Sequence, residues 1–168
     1  MGKIFLIADT HFGSDAIRRY ENRPFATAAE MDEELIRRWN AVVAPEDTVV
    51  HLGDFGAQGH EGEILARLSG RVILVKGNHD TKSSAYYRAC GFAEVYDLPV
   101  LWGGFWLLSH EPLYVNTNMP YANLFGHVHG NPQFRDFSPQ HFCVCVERTG
   151  YAPISLEEIQ RRMQGGQG

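Results

Sequence analysis

Five separated segments of this 168-residue chain each set down a carboxylate, amide or imidazole directly after a short apolar run. They are Asp9 and His11, Asp54, Asn78 with His79, His110, and His127 with His129. All are nitrogen or oxygen donors. That mixture suits divalent first-row ions such as manganese, iron, cobalt, nickel or zinc, whereas the imidazoles disfavour a site built for Mg²⁺ or Ca²⁺ alone. With His79 set aside, seven candidate ligands remain, enough for two ions that share a carboxylate. A lone His or Asp at a strand end is usually structural. The ordered repetition of such groups has no common structural explanation. His51 falls inside a predicted strand and reads as a hydrogen-bonded core histidine, while His60 and His141 read as surface residues.

Donors so far apart in sequence need a framework to bring them together. Lys3 to Ala8, Asp47 to Leu52 and Arg71 to Val75 read as buried strands, each ending in polar residues. Between them, Thr27-Ala28-Ala29-Glu30 is a capping box that opens a helix with Met31, Leu35, Ile36 and Trp39 at helical spacing, stopped by Pro45. Shorter helices are expected over Glu61 to Leu68 and about Thr81 to Ala89. The second half is strand-rich. Leu98 to Trp102 and Phe105 to Ser109 flank Gly103-Gly104, a two-residue hairpin signal, with Trp102 and Trp106 packing across it. Ala122 to Phe125 and Phe142 to Val146 are further strands, the latter leaving Glu147 exposed. A last helix begins at Ser155, and residues 164–168 are expected to be a disordered tail. Early βαβα alternation followed by strands points to one α/β domain over residues 1–168, with two packed sheets inside and helices outside. Ligands then belong at the carboxyl ends of the strands.

Composition narrows the functional classes. A formal charge of −5 argues against a broad basic surface for duplex nucleic acid, though not against a small phosphate-bearing molecule held by local positive charge. No apolar run approaches the ~20 residues that span a bilayer, so a cytoplasmic location without membrane partners is expected. Cys90, Cys143 and Cys145 read as free thiols rather than metal ligands.

In their order and wording the motifs resemble the calcineurin-like metallophosphoesterases. Asp9-Thr10-His11, Gly53-Asp54, Gly77-Asn78-His79-Asp80, Ser109-His110 and Gly126-His127-Val128-His129 reproduce all five blocks of that family's signature. The stretches D-T-H-F-G, R-P-F, H-L-G-D-F and P-I-S-L-E-E-I are similar to a compact bacterial and phage subfamily. The resemblance implies a four-layer α/β/β/α sandwich of two mixed sheets with outer helices. It implies that Asp9, His11, Asp54 and His129 hold one metal ion, that Asp54, Asn78, His110 and His127 hold the other, and that Asp54 bridges. Two divalent transition-metal ions, manganese foremost, would then outweigh two carboxylates and a bridging hydroxide, making the pocket cationic in an acidic protein. Ions ~3.5–4 Å apart lower the pKa of a bridging water and clamp phosphoryl oxygens for in-line attack. His79 is implied to protonate the leaving group or steady the transition state, with Asp80 orienting its ring.

These implications describe a dinuclear phosphohydrolase, a phosphodiesterase before a phosphomonoesterase, acting on small or nucleotide-like phosphate esters or nucleic-acid ends. A silent binding scaffold of the same fold, or a nucleic-acid-processing module, is the competing reading. The complete ligand set disfavours the first and the acidic balance the second. D-T-H-F and G-N-H-D depart from the D-x-H-G and G-N-H-E of many family phosphatases, which leans away from phosphoprotein substrates, and Ser14 stands where compact relatives often carry His. Arg18, Arg19 and Arg23 read equally as phosphate contacts or as solvated loop charges. Tyr114 and Asn116 are placed near the pocket without a role. Neutral imidazole ligands imply that metal retention and activity fall together below about pH 6.5.

Overall fold

The computed structural model describes residues 2–165. Strands β1 (Ile4–Ile7), β2 (Thr48–His51), β3 (Arg71–Val75) and β4 (Glu94–Tyr96) are interleaved with helices α1 (Asp15–Tyr20), α2 (Ala28–Val42), α3 (Glu61–Leu65) and α4 (Ser84–Cys90). Then come β5 (Val100–Trp102), β6 (Trp106–Ser109), β7 (Ala122–Phe125), β8 (Phe137–Ser138), β9 (His141–Cys143), β10 (Ile154–Ser155) and α5 (Leu156–Gly165). Two mixed five-stranded sheets result, ordered β10-β1-β2-β3-β4 and β5-β6-β7-β9-β8. β1 to β4 run parallel and β10 antiparallel to β1; β6, β7 and β9 run parallel between antiparallel edges.

The two-residue period of the strands divides the core. Phe5, Ile7 and Val49 face the helices, where they pack with Met31, Leu35, Ile36 and Trp39 of α2 and Tyr87 of α4. Leu6, Ala8, Val50, Leu52, Ile73 and Val75 point the other way and meet Trp106, Leu108, Ala122, Leu124 and Phe142 of the second sheet. Strands buried on both faces read as continuous apolar runs, which is why β1 to β3 are so plain in the sequence. Ile159 and Met163 of α5 join the inter-sheet core. No helix among the described residues is long and apolar enough to cross a membrane.

Local expectations hold at the α2 cap and the hairpin turn and shift elsewhere. Thr27 accepts from the Glu30 amide at 3.1 Å and caps α2 as its box predicts. Gly103 and Gly104 both take positive φ (59° and 72°), and Trp102 lies opposite Trp106. α4 starts at Ser84, capped by Ser83, because the preceding residues form the loop that carries Asn78 and His79. α3 ends at Leu65 in a turn. α5 carries residues 164 and 165 in helix, so the expected tail does not begin at Gln164; residues 166–168 lie outside the described range. β9 stops at Cys143 and Val146–Arg148 forms a 3₁₀ turn, which rotates Glu147 inward instead of leaving it exposed.

Candidate metal centre

Every segment singled out for chemistry follows the carboxyl end of a parallel strand: Asp9 after β1, Asp54 after β2, Asn78 after β3, His110 after β6, and His127 and His129 after β7. Because β1, β2 and β3 are parallel in register, and β6 and β7 likewise, these ends gather on one rim of the sandwich. Close approach of the loops needs glycine. A Cβ on Gly126 would sit 2.5 Å from both Ala8 Cβ and Asp9 Oδ2, and one on Gly77 would overlap the Asp54 carboxylate. Asp9 (φ 61°), His11 (47°), Asp54 (58°), His127 (71°) and His129 (48°) all take left-handed backbone conformations that side chains rarely adopt. Such strain persists where the surroundings over-determine it, and here it falls on candidate ligands.

Ligand atoms of Asp9, His11 and His129 lie within 4.8 Å of one another, as do those of Asp54, His110 and His127, and of His11, Asp54 and His79. Asp54 Oδ2 is 3.5 Å from His11 Nε2 and 3.4 Å from His110 Nε2, so one oxygen faces both groups. Asp9 Oδ1 stands 3.8 Å from His11 Nε2 and 3.7 Å from His129 Nε2. Those gaps are too long for hydrogen bonds, yet two donors each ~2.1 Å from a shared ion are roughly 3–4 Å apart. Asn78 Oδ1 and His127 Nδ1 lie 2.9 and 3.1 Å from His110 Nε2.

The donor set fits a divalent cation on a second ground. Asp9 Oδ1 and His11 Nε2 are buried and have no hydrogen-bond partner. An orphaned buried polar atom costs about 1–3 kcal/mol, which a shared cation would offset. Neighbouring bonds turn the remaining atoms to face the same space. His110 Nδ1–H donates to the Leu52 carbonyl at 2.7 Å and His129 Nδ1–H to Glu147 Oε1 at 2.9 Å, leaving each Nε2 for the centre. Asp9 Oδ2 accepts from the His127 amide at 2.7 Å and from Cys145 Sγ at 3.3 Å, leaving Oδ1 inward.

Electrostatics point the same way. Burial alone would raise Asp54, but the nearby His110 imidazole, together with hydrogen bonds from the His79 ring and amide, holds it well below the usual carboxylate range. Asp9 is lowered too, its burial overcome by His11, His110 and His129. Conversely, burial opposes a charge on His110, yet Asp54 and Asp9 push it up to about 9. His129 rises likewise against its burial, through Glu147 and Asp9. Two fixed anions that draw protons onto neighbouring imidazoles mark a pocket short of positive charge.

Other expected site residues sort differently. The His79 side chain is 62% exposed, and its Nδ1 lies 2.8 Å from Asp54 Oδ2. Asp80 does not turn toward the His79 ring: its carboxylate accepts the amides of Asp54, Phe55 and Gly77, tying two ligand loops together. Arg23 does not reach outward to substrate; it is buried against Glu147 and the carbonyls of Asp9 and Thr10. Arg18 is committed to Asp15 and the Phe25 carbonyl, and Arg19 pairs with Asp15. Ser14 caps α1. Tyr114 is exposed beside an apolar groove that does not include the donors. His51 is the core histidine the strand pattern predicts: burial pushes it down to about 3, and it bonds Thr10 Oγ1 at 2.9 Å. Glu147 is the residue sequence reasoning missed, although it follows a strand-like run as the other donors do.

A two-sheet α/β sandwich that collects carboxylates and imidazoles at the ends of its parallel strands defines a class of metal-binding hydrolase. The family model for calcineurin-like phosphoesterase matches residues 2–144, and the chain belongs to that family. It is 33% identical over 175 aligned positions to an uncharacterised protein of Methanocaldococcus jannaschii, covering 99% of this chain and 94% of the relative. The gene 66 protein of Mycobacterium phage L5 is 31% identical over 85 residues, 48% of this chain and 41% of its own length. A protein of unknown function from Aquifex aeolicus has a similar crystal structure, with a TM-score of 0.71 and 28% identity over 96% of this chain and all of that one. The family indicates a metal-dependent phosphoester hydrolase.

Proposed function

We propose that this chain is a dinuclear phosphodiesterase acting on small or nucleotide-like phosphate esters. The observation that carries the reading is the position of Asp54 Oδ2 between two donor groups, one of which also holds the orphaned atoms of Asp9 and His11. Asp9, His11, Asp54 and His129 would hold one ion, and Asp54, Asn78, His110 and His127 the other, with manganese the first candidate and iron, zinc, nickel or cobalt the alternatives. Such ions would lower the pKa of water and polarise phosphoryl oxygens. The chain's own residues do the rest. The amide of Asn78 offers an oxygen without adding negative charge where a phosphate must approach. As the imidazolium, His79 would donate Nδ1–H to Asp54 and give the Nε2 proton to the leaving oxygen, ending as the neutral Nδ1–H ring.

A preference for diesters is supported by space on two sides. A cavity of about 660 Å³ is lined by His11, His79, Gln58, Lys82 and Tyr86, and a separate one of about 280 Å³ by Asn78, His110, Leu98 and Glu111. Each borders a different half of the donor set, as the two ester arms of one phosphorus would require. Free Cys90, Cys143 and Cys145 support a reducing, cytoplasmic setting. The test is hydrolysis of bis(p-nitrophenyl) phosphate against p-nitrophenyl phosphate with Mn²⁺. Faster turnover of the diester is expected; faster turnover of the monoester would make the chain a phosphatase, and no turnover of either with two ions bound would overturn the enzymatic reading.

A further inference from the structure

We propose that Arg23 and Glu147 form a buried clamp that fixes His129 and the first loop, and so sets the affinity of the Asp9–His11–His129 metal position while leaving the Asp54–His110–His127 position alone. The inference rests on the two-metal reading and adds to it a pair of positioning residues that bind no metal in that reading.

One carboxylate oxygen does most of the joining. Arg23 Nε and Nη2 donate to Glu147 Oε1 at 2.9 and 2.7 Å, and His129 Nδ1–H donates to the same oxygen at 2.9 Å. The guanidinium also reaches the first loop, with Nη1 on the Thr10 carbonyl at 2.8 Å and Nη2 on the Asp9 carbonyl at 2.6 Å. Those two carbonyls lie between ligands Asp9 and His11, whose backbones are strained. The next residue, Arg148, donates Nε to the His129 carbonyl at 2.6 Å, so residues 147 and 148 hold both the ring and the main chain of His129.

Energetics argue that the pair is not there for stability. The Arg23 side chain has no exposed surface and that of Glu147 only 9%, so both charges have lost their hydration. Buried ion pairs of this kind seldom stabilise a fold more than apolar groups of the same volume. Their distinctive property is geometric: a fork of donors fixes a carboxylate, and the carboxylate fixes a tautomer. With Nδ1 protonated, His129 presents Nε2 toward Asp9 Oδ1, 3.7 Å away. The second position has supports of its own, although the His127 amide on Asp9 Oδ2 and the His11 amide on the Asp54 carbonyl link it to the first loop. Its His110 is fixed by the Leu52 carbonyl, and Asp54 touches neither Arg23 nor Glu147 among its hydrogen bonds.

The experiment titrates chelator-stripped protein with Mn²⁺ by calorimetry for wild type, Glu147→Gln and Glu147→Leu. Loss of an outer-shell partner costs about 10–100-fold in metal affinity, so Glu147→Leu should weaken one of two binding steps by that factor and leave the other. Glu147→Gln keeps an oxygen for Nδ1–H and should retain most of the affinity. If Glu147→Leu fails to fold with Arg23 unpaired, the Arg23→Met/Glu147→Leu double variant removes both charges and carries the same expectation. Equal weakening of both steps, no weakening, or equal loss in the Gln and Leu variants overturns the clamp. A readout free of metal separates this from the two-metal reading. In alkaline, metal-free protein, nitrogen NMR should show the Nδ1–H tautomer of His129 in wild type and its loss in the Leu variant. That tautomer persisting in the variant overturns the clamp, whereas a wild type that binds fewer than two ions contradicts the two-metal reading alone.

Discussion

Asp54 Oδ2 lies within 3.5 Å of imidazole nitrogens from three segments, His11, His79 and His110. Residue types alone made Asp54 a candidate; the sharing of one oxygen is visible only in space. Glu147 was illegible for a local reason: the alternation of a strand put it outside, and a 3₁₀ turn after Cys145 put it inside. Arg23 was misread because an arginine in a loop carries no sequence mark of burial. Two predictions belong at this scale. Replacing His79 with Ala should leave both ions bound and lower kcat by about 10²–10⁴, the size of a positioned acid; unchanged turnover at full metal content would remove it from the mechanism. The second concerns pH. His110 is held at about 9 in the folded, metal-free chain against 6.5 when free, so its stabilising contribution is complete below 6.5 and is lost as pH rises through 9. A metal must displace that proton, so Mn²⁺ affinity should rise about tenfold per pH unit within this window. Affinity that is flat there and falls only below 6.5 would return the site to ordinary imidazoles.

The elements that carry donors were the readable ones, because β1, β2 and β3 are buried on both faces and stand out as apolar runs closed by polar residues. α1 left no signal: it has six residues and buries none of them. β8 and β10, two residues each, are too short for any period to show. The glycines that let the loops meet could be seen in the motifs, but their reason could not. Gly126→Ala should destabilise the fold by about 1–3 kcal/mol, since the new methyl would meet Ala8 Cβ and Asp9 Oδ2 at 2.5 Å. Urea unfolding measures it, and a midpoint equal to wild type would show that the β1 and β7 loops approach less closely.

The whole molecule carries a formal charge of −5, and two divalent ions at the rim would outweigh the carboxylates of Asp9 and Asp54 there. The two-sheet architecture followed from the order of elements; which rim held the donors followed from parallel register. Metal should therefore act as a structural ligand as well as a reagent. At a free concentration of one hundred times Kd, Mn²⁺ should stabilise the chain by about 2.7 kcal/mol per site, read as a fall in melting temperature when a chelator is added. His51, pushed down to about 3, acts at the other end of the pH scale: unfolded chains take its proton first, so stability falls as pH drops from 6.5 toward 3. The most direct measurement is the manganese content of saturated, dialysed protein beside that of Asp54→Asn. Convergence of the donors on two ions that share one carboxylate predicts two per wild-type chain and fewer than one in the variant. One ion or none in wild type, or two retained without the Asp54 carboxylate, would contradict it.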